Sequence, residues 1–232
     1  MESKMSIVTI RGNMGSGAAE IGKLVAGKLH FDYVDREIID KVAELLQGQK
    51  HDIEMKEMPS GSLSSRIGDA LRRAYPTTRK VGLLPRWEYE DVSLPTWEKP
   101  LDDAHYFAGL QSVIRDLAQS SSIVIRGRGS QFILKDYPGT LRVLIVAPLQ
   151  MRVKRVAESA KSDERTAKKE IENYDSSRRE FIKKYFHAAL ENPLDFDLVI
   201  NTELVTFEDA AVIIANALPL KNRPEVPKKK IN

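Results

Sequence analysis

The sequence contains no cysteine, and this absence excludes a disulfide framework, a thiolate metal site and a cysteine nucleophile. It also has no apolar run of the roughly 20 residues that a membrane-spanning helix needs. The first residues, Met1 to Lys4, lead into a predicted strand and not into the apolar core of a secretory signal. We therefore expect a cytoplasmic protein with no membrane partner.

The sequence also lacks a large excess of either sign of charge, because its formal net charge is only +3. Part of that excess lies in residues 221–232, where Lys221, Arg223 and the run from Lys228 to Lys230 alternate with Pro224 and Pro227. Proline at this spacing opposes a helix and nothing apolar is present to dock, so we predict a disordered basic tail. Nucleic-acid binding is the less favoured interpretation of it. The mild excess suits an anionic ligand.

A glycine-rich segment near the N-terminus is the most informative feature that is present. The β-branched run from Ile7 to Ile10 leads to Gly12 and Gly17, with Gly15 between them, and then to a helical pattern. A strand, a Gly-x-x-x-x-Gly loop and a helix N-terminus form a phosphate-binding loop, whose backbone N–H groups bind the anion. The predicted cofactor-binding residues are Gly12, Asn13, Met14, Gly15, Ser16, Gly17, Ala18 and Ala19. The simpler alternative is a structural turn between a buried strand and a helix.

The two residues after Gly17 depart from that pattern. A phosphate loop of this type continues with Lys and then Ser or Thr, whereas this chain has Ala18 and Ala19. A loop lysine neutralises the β- and γ-phosphates as the bond breaks. We therefore expect nucleotide binding with slow phosphoryl transfer, unless Arg11, Lys23 or an arginine elsewhere replaces the missing charge.

Apolar runs and helical patterns alternate along most of the chain. The strands are continuous apolar runs, which favours a parallel sheet covered on both faces by helices, an α/β fold. Periodicity is lost at about 48–100, which we interpret as a cap inserted in a single domain of residues 1–220. The predicted strands end near residues 10, 34, 125, 146 and 200, and the predicted helices cover 18–30, 102–118, 150–190 and 206–217. The last helix is predicted to begin with Thr206 and Asp209 as a variant of the capping box.

In such sheets ligands bind at the carboxyl ends of the strands. Besides the glycine-rich loop, two groups of residues are expected there: Asp35 with Arg36, and the segment Arg126-Gly127-Arg128-Gly129. Guanidinium groups bind phosphate through two parallel hydrogen bonds, so Arg128 is a candidate catalytic and substrate-binding residue. The alternative is a pair of surface arginines that offset nearby acids.

A long charged stretch follows the fourth strand, at about 150–190. It carries Arg152, Arg155, Arg178 and Arg179, and Asp175 stands at pairing distance from either of the last two. Charge runs are commonly solvated surface, but in phosphotransferases an arginine-bearing lid at this place closes over the transferring group. We therefore predict a helical lid.

Together these segments resemble the cytidylate kinase-like proteins, a branch of the P-loop nucleoside monophosphate kinases. The matching pieces run in family order over about residues 5–215 and are Gly15-Ser16-Gly17, Glu20-Ile21-Gly22, Tyr33 to Ile39, Ile125 to Gly129, Ala147-Pro148-Leu149 with Arg152 and Arg155, Asp175 to Arg179, and Asp197 to Thr202. The resemblance implies a P-loop NTPase-like three-layer sandwich with a five-stranded parallel sheet. It implies ATP phosphates on the glycine-rich loop, a nucleoside monophosphate held by the inserted region and Arg128, and lid arginines at Arg155, Arg178 and Arg179.

The leading hypothesis is a kinase that uses ATP and Mg²⁺ to phosphorylate CMP or dCMP. Relatives usually carry Gly-Arg where Ala18 and Ala19 stand, and typical cytidylate kinases carry Asp where Arg126 stands. The carboxylates that remain near the loop are Glu20, the candidate metal ligand, and Asp35. Two alternatives stay open: a nucleotide-binding protein with lost or weak catalysis, which serves as a sensor or scaffold, and a kinase of another small molecule, suggested by Trp87 and Trp97 in the unusual cap.

Overall fold

The computed structural model describes residues 5–35 and 103–221. The predicted cap at 48–100, Arg36 and the predicted tail from residue 222 lie outside the described residues. The chain divides into two units, one of Met1–Asp35 with Ser121–Asn232 and one of Arg36–Ser120. Each is described by itself.

The first unit contains a five-stranded sheet in which every pair of neighbouring strands is parallel. Its strand order is β2-β3-β1-β4-β5, which places β1 at the centre. This confirms the predicted parallel α/β fold. The strands are β1 (Ile7–Gly12), β2 (Asp32–Val34), β3 (Ile123–Arg126), β4 (Thr140–Val146) and β5 (Leu198–Asn201).

One face of the sheet is covered by α1 (Ala18–Leu29) and α6 (Phe207–Lys221). Thr206 caps α6, because its Oγ1 accepts a hydrogen bond from the Asp209 amide at 3.1 Å and donates to the Asp209 carboxylate at 2.7 Å. This confirms the predicted capping pair. The apolar cluster between these helices and the sheet includes Val8, Ile10, Ile21, Val25, Val124, Val143, Ile145, Ala210 and Ile214.

The stretch predicted as helical at 150–190 forms two helices, α4 (Leu149–Ala160) and α5 (Glu164–Phe186). Asp163 begins α5, and its side chain accepts a hydrogen bond from the Thr166 amide at 2.9 Å. These two helices, called the hairpin below, share a small apolar cluster of Val153, Val156, Ala157, Ala167 and Ile171, against which Met14 packs. The hairpin therefore has its own core and reaches the glycine-rich loop through Met14.

Two further α-helices and a 3-10 helix at Pro193–Asp195 complete the helices of the described residues. A short helix, α3 (Ser130–Ile133), follows β3. In the second unit α2 (Asp103–Ser120) carries buried Leu110, Val113, Ile114 and Leu117 at helical spacing, which confirms the predicted helix there. Among the described residues no helix is both long and apolar enough to span a membrane.

Candidate functional site

The glycine-rich loop joins β1 to α1 at the carboxyl edge of the sheet, and its three glycines are required by close contacts. Gly15 and Gly17 have positive φ angles of 77° and 86°, a conformation that side chains other than glycine rarely adopt. A Cβ on Gly15 would lie 2.7 Å from the Arg152 carbonyl oxygen, and one on Gly17 would enter the ring of Phe207. The loop is thus packed from outside by α4 and α6.

On that outer side every carbonyl from Met14 to Ser16 accepts a hydrogen bond from a side chain. Arg152 Nη1 donates to the Met14 carbonyl at 3.3 Å and Arg155 Nη1 donates to the Gly15 carbonyl at 3.3 Å. Thr202 Oγ1, just after β5, donates to the Ser16 carbonyl at 2.9 Å. Three side chains from two other segments therefore fix the orientation of the loop peptides.

Several amides of the loop differ from its carbonyls, because they have no hydrogen-bond partner in the part of the chain that the structure describes; the side of the loop that carries them is called the inner side below. Within the described residues the amides of Gly15, Gly17, Ala18 and Ala19 donate no hydrogen bond, and α1 has no side-chain cap. The Ser16 hydroxyl is fully buried and also lacks a partner there. A Cβ on Gly12 would lie 2.5 Å from this hydroxyl, so the hydroxyl points into the curve of the loop. N–H donors and a hydroxyl without acceptors, at the positive end of a helix, form a cradle for an anion.

Arg11 is a buried cation at the start of this loop, only 6% exposed. Its Nη1 donates to the Gly12 carbonyl and its Nη2 to Asn13 Oδ1 at 3.1 Å. Asn13 in turn donates to Glu191 at 2.5 Å. Burial lowers the pKa of Arg11, and the positive charge of Arg126 adds to this, whereas Tyr174, Asp175 and Glu191 oppose it.

Asp35 and Arg126 form a bidentate ion pair at the ends of β2 and β3. Arg126 Nε and Nη2 lie 2.9 and 2.7 Å from the two Asp35 oxygens, and the Tyr33 hydroxyl donates to the same carboxylate at 3.0 Å. Burial is the largest single effect and acts to lower the pKa of Arg126, but the charges of Asp35, Tyr174 and Tyr33 together with the Asp35 hydrogen bond outweigh it and raise the pKa. Burial raises the pKa of Tyr33. The Tyr33 hydroxyl also lies 3.4 Å from the Ala19 carbonyl, so the ion pair stands beside the N-terminus of α1.

Arg128 lies in a strained turn between β3 and α3. Three consecutive residues, Gly127, Arg128 and Gly129, have positive φ angles of 85°, 53° and 71°. Arg128 is 5% exposed, and its guanidinium carbon is 5.4 Å from the centroid of the Phe181 ring. A Cβ on Gly129 would collide with Phe186. The turn is therefore packed under α5, and Arg128 is held in a left-handed conformation that residues other than glycine adopt only at an energetic cost.

The hairpin arginines have different surroundings. Arg152 forms an ion pair with Asp175 at 2.7 Å, so the predicted pairing of Asp175 with Arg178 or Arg179 is wrong. Arg155 donates to the side chain and carbonyl of Thr202 and stacks on Phe207 at 5.0 Å. Arg178 stacks on Tyr174 at 4.9 Å and Arg179 is exposed.

The residues considered for a metal are not brought together. Glu20 is exposed on the first turn of α1, and Asp35 is occupied by Arg126. Residues 5–35 and 103–221 contain no group of three or more His, Asp or Glu side chains able to hold a metal ion. Ala18 and Ala19 add no side-chain oxygen.

Residues 7–204 match the protein family described as the cytidylate kinase-like family. Over 151 residues the chain is 30% identical to a cytidylate kinase of Desulfurococcus amylolyticus, covering 64% of this chain and 75% of that protein. Over 110 residues it is 26% identical to a cytidylate kinase of Methanococcus aeolicus, covering 47% of this chain and 62% of that protein.

A solved structure gives an independent likeness. The crystal structure of an uncharacterized protein from Eubacterium ventriosum has a TM-score of 0.63 and 18% identity, and the match covers 93% of this chain and 99% of that one. At this identity the likeness concerns the fold alone.

Proposed function

The chain belongs to the cytidylate kinase-like family, and from that premise we propose that it is a nucleoside monophosphate kinase that transfers a phosphoryl group from ATP to CMP or dCMP. An acceptor phosphate oxygen attacks the γ-phosphorus of ATP, the bond to the β-phosphate oxygen breaks, and ADP leaves with that electron pair. Such transfer needs little covalent chemistry from the protein and depends on positioning and charge neutralisation.

The observation that carries this proposal is the two-sided glycine-rich loop. Its carbonyls are held from outside by Arg152, Arg155 and Thr202, while its amides and the Ser16 hydroxyl have no acceptor within the described residues. Donors that are fixed before the ligand arrives need no reorganisation when charge develops on it. We assign the ATP phosphates to this inner side.

We assign the acceptor to the ends of β2 and β3. Arg128 supplies guanidinium donors for the monophosphate, and Asp35 and Arg36 are the further proposed substrate-binding residues. The ion pair of Asp35 with Arg126 supports this assignment, because it holds Asp35 at the end of β2 against the end of β3, just before Arg128. Arg36 itself lies outside the described residues.

We assign charge neutralisation during transfer to the hairpin. Arg178 and Arg179 are the proposed lid arginines that approach the phosphates. Arg155 keeps the predicted lid role as a proposal, and its contacts with Thr202 and Gly15 give it a positioning role in addition.

The described residues do not offer Mg²⁺ a set of protein ligands. Mg²⁺ is usually held by one or two carboxylates together with substrate phosphates. Asp35 is neutralised by Arg126, and Glu20 belongs to no group of three or more metal-binding side chains among the described residues. A Mg²⁺ ion that enters as the ATP complex belongs to the substrate, and the roles proposed above do not depend on it.

A second candidate is a nucleotide-binding protein with weak catalysis, which acts as a sensor or scaffold. It is favoured by Ala18 and Ala19, which provide neither the cation nor the hydroxyl of a typical phosphate loop. The remaining alternative, a kinase of another small molecule, rests on Trp87 and Trp97, which lie outside the described residues.

A coupled assay with ATP and each common nucleoside monophosphate separates these candidates. We expect turnover with CMP or dCMP above that with AMP, GMP or UMP. Arg128→Ala should weaken monophosphate binding much more than ATP binding, while Lys28→Ala, at the far end of α1, should change neither. ATP binding without transfer to any monophosphate would favour the second candidate, and equal loss of both ligands in Arg128→Ala would assign Arg128 to the fold.

A further inference from the structure

The cations around the glycine-rich loop differ in what neutralises them. Arg126 is paired with Asp35 and Arg152 with Asp175, each at 2.7 Å. Arg11 is as buried as Arg152, yet no carboxylate among the described residues lies within ion-pair distance of it. Its two hydrogen-bond acceptors are a backbone carbonyl and an amide side chain, both uncharged.

A buried cation without a counter-ion is costly. The free-energy cost of removing an ionised group from water is offset only when an opposite charge and further hydrogen bonds stabilise that group. The lowering of the Arg11 pKa by burial has the same origin. An anionic ligand beside Arg11 would supply the missing compensation.

Arg11 also has donors to spare. A guanidinium carries five N–H donors, and Arg11 uses one from Nη1 for Gly12 and one from Nη2 for Asn13. Both acceptors belong to the first two residues of the loop, so the guanidinium stands where the cradle begins. The cradle also indicates an anion beside Arg11, because the Ser16 hydroxyl is fully buried and has no partner within the described residues.

We propose that Arg11 is the cation of this phosphate loop: it binds the polyphosphate chain of the nucleoside triphosphate and supplies the charge that a lysine after Gly17 would supply. Phosphate oxygens would accept its remaining N–H donors while the loop amides bind the same anion. Lys23, another replacement considered from the sequence, is exposed on α1. The proposal rests on the proposed function for its choice of ligand, a nucleoside triphosphate.

The test measures binding of inorganic tripolyphosphate by calorimetry, since this probe carries neither a base nor an acceptor. Arg11→Gln keeps an amide NH₂ group with two N–H donors but removes the charge, and we expect its dissociation constant to rise by about tenfold or more, as for loss of a charge-assisted contact. Lys28→Gln, an equal change of net charge at the far end of α1, is the matched control and should bind like the wild type.

Rescue distinguishes a loop cation from a structural residue. Ala18→Lys should restore about tenfold in affinity to Arg11→Gln, but change the wild type by less than about threefold, because the charge is already present there. Without ligand, Arg11→Gln should melt at the wild-type temperature or above it, since an uncompensated buried charge is removed.

Other results would overturn the proposal. Tripolyphosphate affinity unchanged in Arg11→Gln, or reduced equally in Lys28→Gln, would contradict it. If Arg11→Gln does not fold, Arg11→Lys decides: a folded protein that binds tripolyphosphate supports a loop cation, and an unfolded or non-binding one makes Arg11 structural. If the wild type binds tripolyphosphate through Arg11 but phosphorylates no monophosphate, the proposed function fails while this inference stands.

Discussion

The outer and inner sides of the glycine-rich loop are made from the same few peptides, but the backbone groups on the two sides differ in whether they form hydrogen bonds. On the outer side the carbonyls of Met14, Gly15 and Ser16 all accept hydrogen bonds from side chains. On the inner side the amides of Gly15 and Gly17 donate to no atom of the described residues. Amides without a partner at a helix N-terminus are the groups that bind anions in proteins, and this supports the proposal that phosphates bind on the inner side.

This difference explains how a loop without the usual lysine can keep the shape that anion binding requires. The shape is imposed from outside by Arg152, Arg155 and Thr202, none of which belongs to the Gly-x-x-x-x-Gly pattern. The charge is a separate requirement, and we assign it to Arg11. The shape of the loop and its charge can therefore be changed by different substitutions, and those at Asp175, Gly17 and Thr202 change the shape.

The largest effect is expected from Asp175→Asn. Asp175 neutralises Arg152, which holds the Met14 carbonyl, and both side chains are buried. Loss of one partner leaves an uncompensated buried charge, which costs about 3–5 kcal/mol in the free energy of unfolding. Chemical denaturation measures this. As a control, Glu172→Gln removes the partner of Lys168 in an exposed pair 3.9 Å apart and should cost less than about 0.5 kcal/mol. Equal effects of the two variants would contradict the assignment.

Gly17→Ala should be the next largest. The residue has a φ of 86°, and its Cβ would enter the Phe207 ring, so we expect a loss of about 2–4 kcal/mol together with loss of phosphate binding. Gly27→Ala is the matched control, because no atom lies within 4 Å of its Cβ position in the interior of α1. It should stabilise the protein by about 0.5–1 kcal/mol. A Gly17→Ala protein as stable as the wild type would show that the loop is not held as described.

Thr202→Val should have the smallest effect of the three. It removes the hydroxyl that donates to the Ser16 carbonyl and accepts from Arg155, while it keeps the side-chain volume. We expect a loss of about 1–2 kcal/mol and weaker ATP binding. Thr9→Val is the control, because the Thr9 hydroxyl is also buried but has no partner within the described residues. That variant should be neutral or more stable, and a greater loss in Thr9→Val than in Thr202→Val would reverse the interpretation.

Local pattern was sufficient to predict much of the fold. The β-branched run before Gly12, the helical spacing after Gly17 and the capping pair of Thr206 with Asp209 are each encoded within a few residues, and each is found in the structure. The hairpin was only partly predictable. Its charged sequence predicted a helical lid over 150–190, but the capping of the second helix by the Asp163 side chain was not predicted.

The site was harder to predict because its contacts join residues distant in sequence. Spacing on one helix suggested Arg178 or Arg179 as the partner of Asp175, yet the tertiary fold brings Arg152 to it. Thr202 was visible only as one member of the family pattern after β5, and nothing local indicates that its hydroxyl reaches the Ser16 carbonyl. The roles of Arg128, Arg155, Arg178, Arg179 and Glu20 stay predictions.

The central claim is that the inner side of the glycine-rich loop binds phosphate through its backbone amides. The most direct measurement is a titration of ¹⁵N-labelled protein with inorganic tripolyphosphate, followed through the amide resonances of Gly15, Gly17, Ala18 and Ala19. We predict that these four resonances shift together with one dissociation constant, while that of Gly27 at the far end of α1 does not move. Binding of tripolyphosphate that leaves the four loop resonances unchanged would contradict the account.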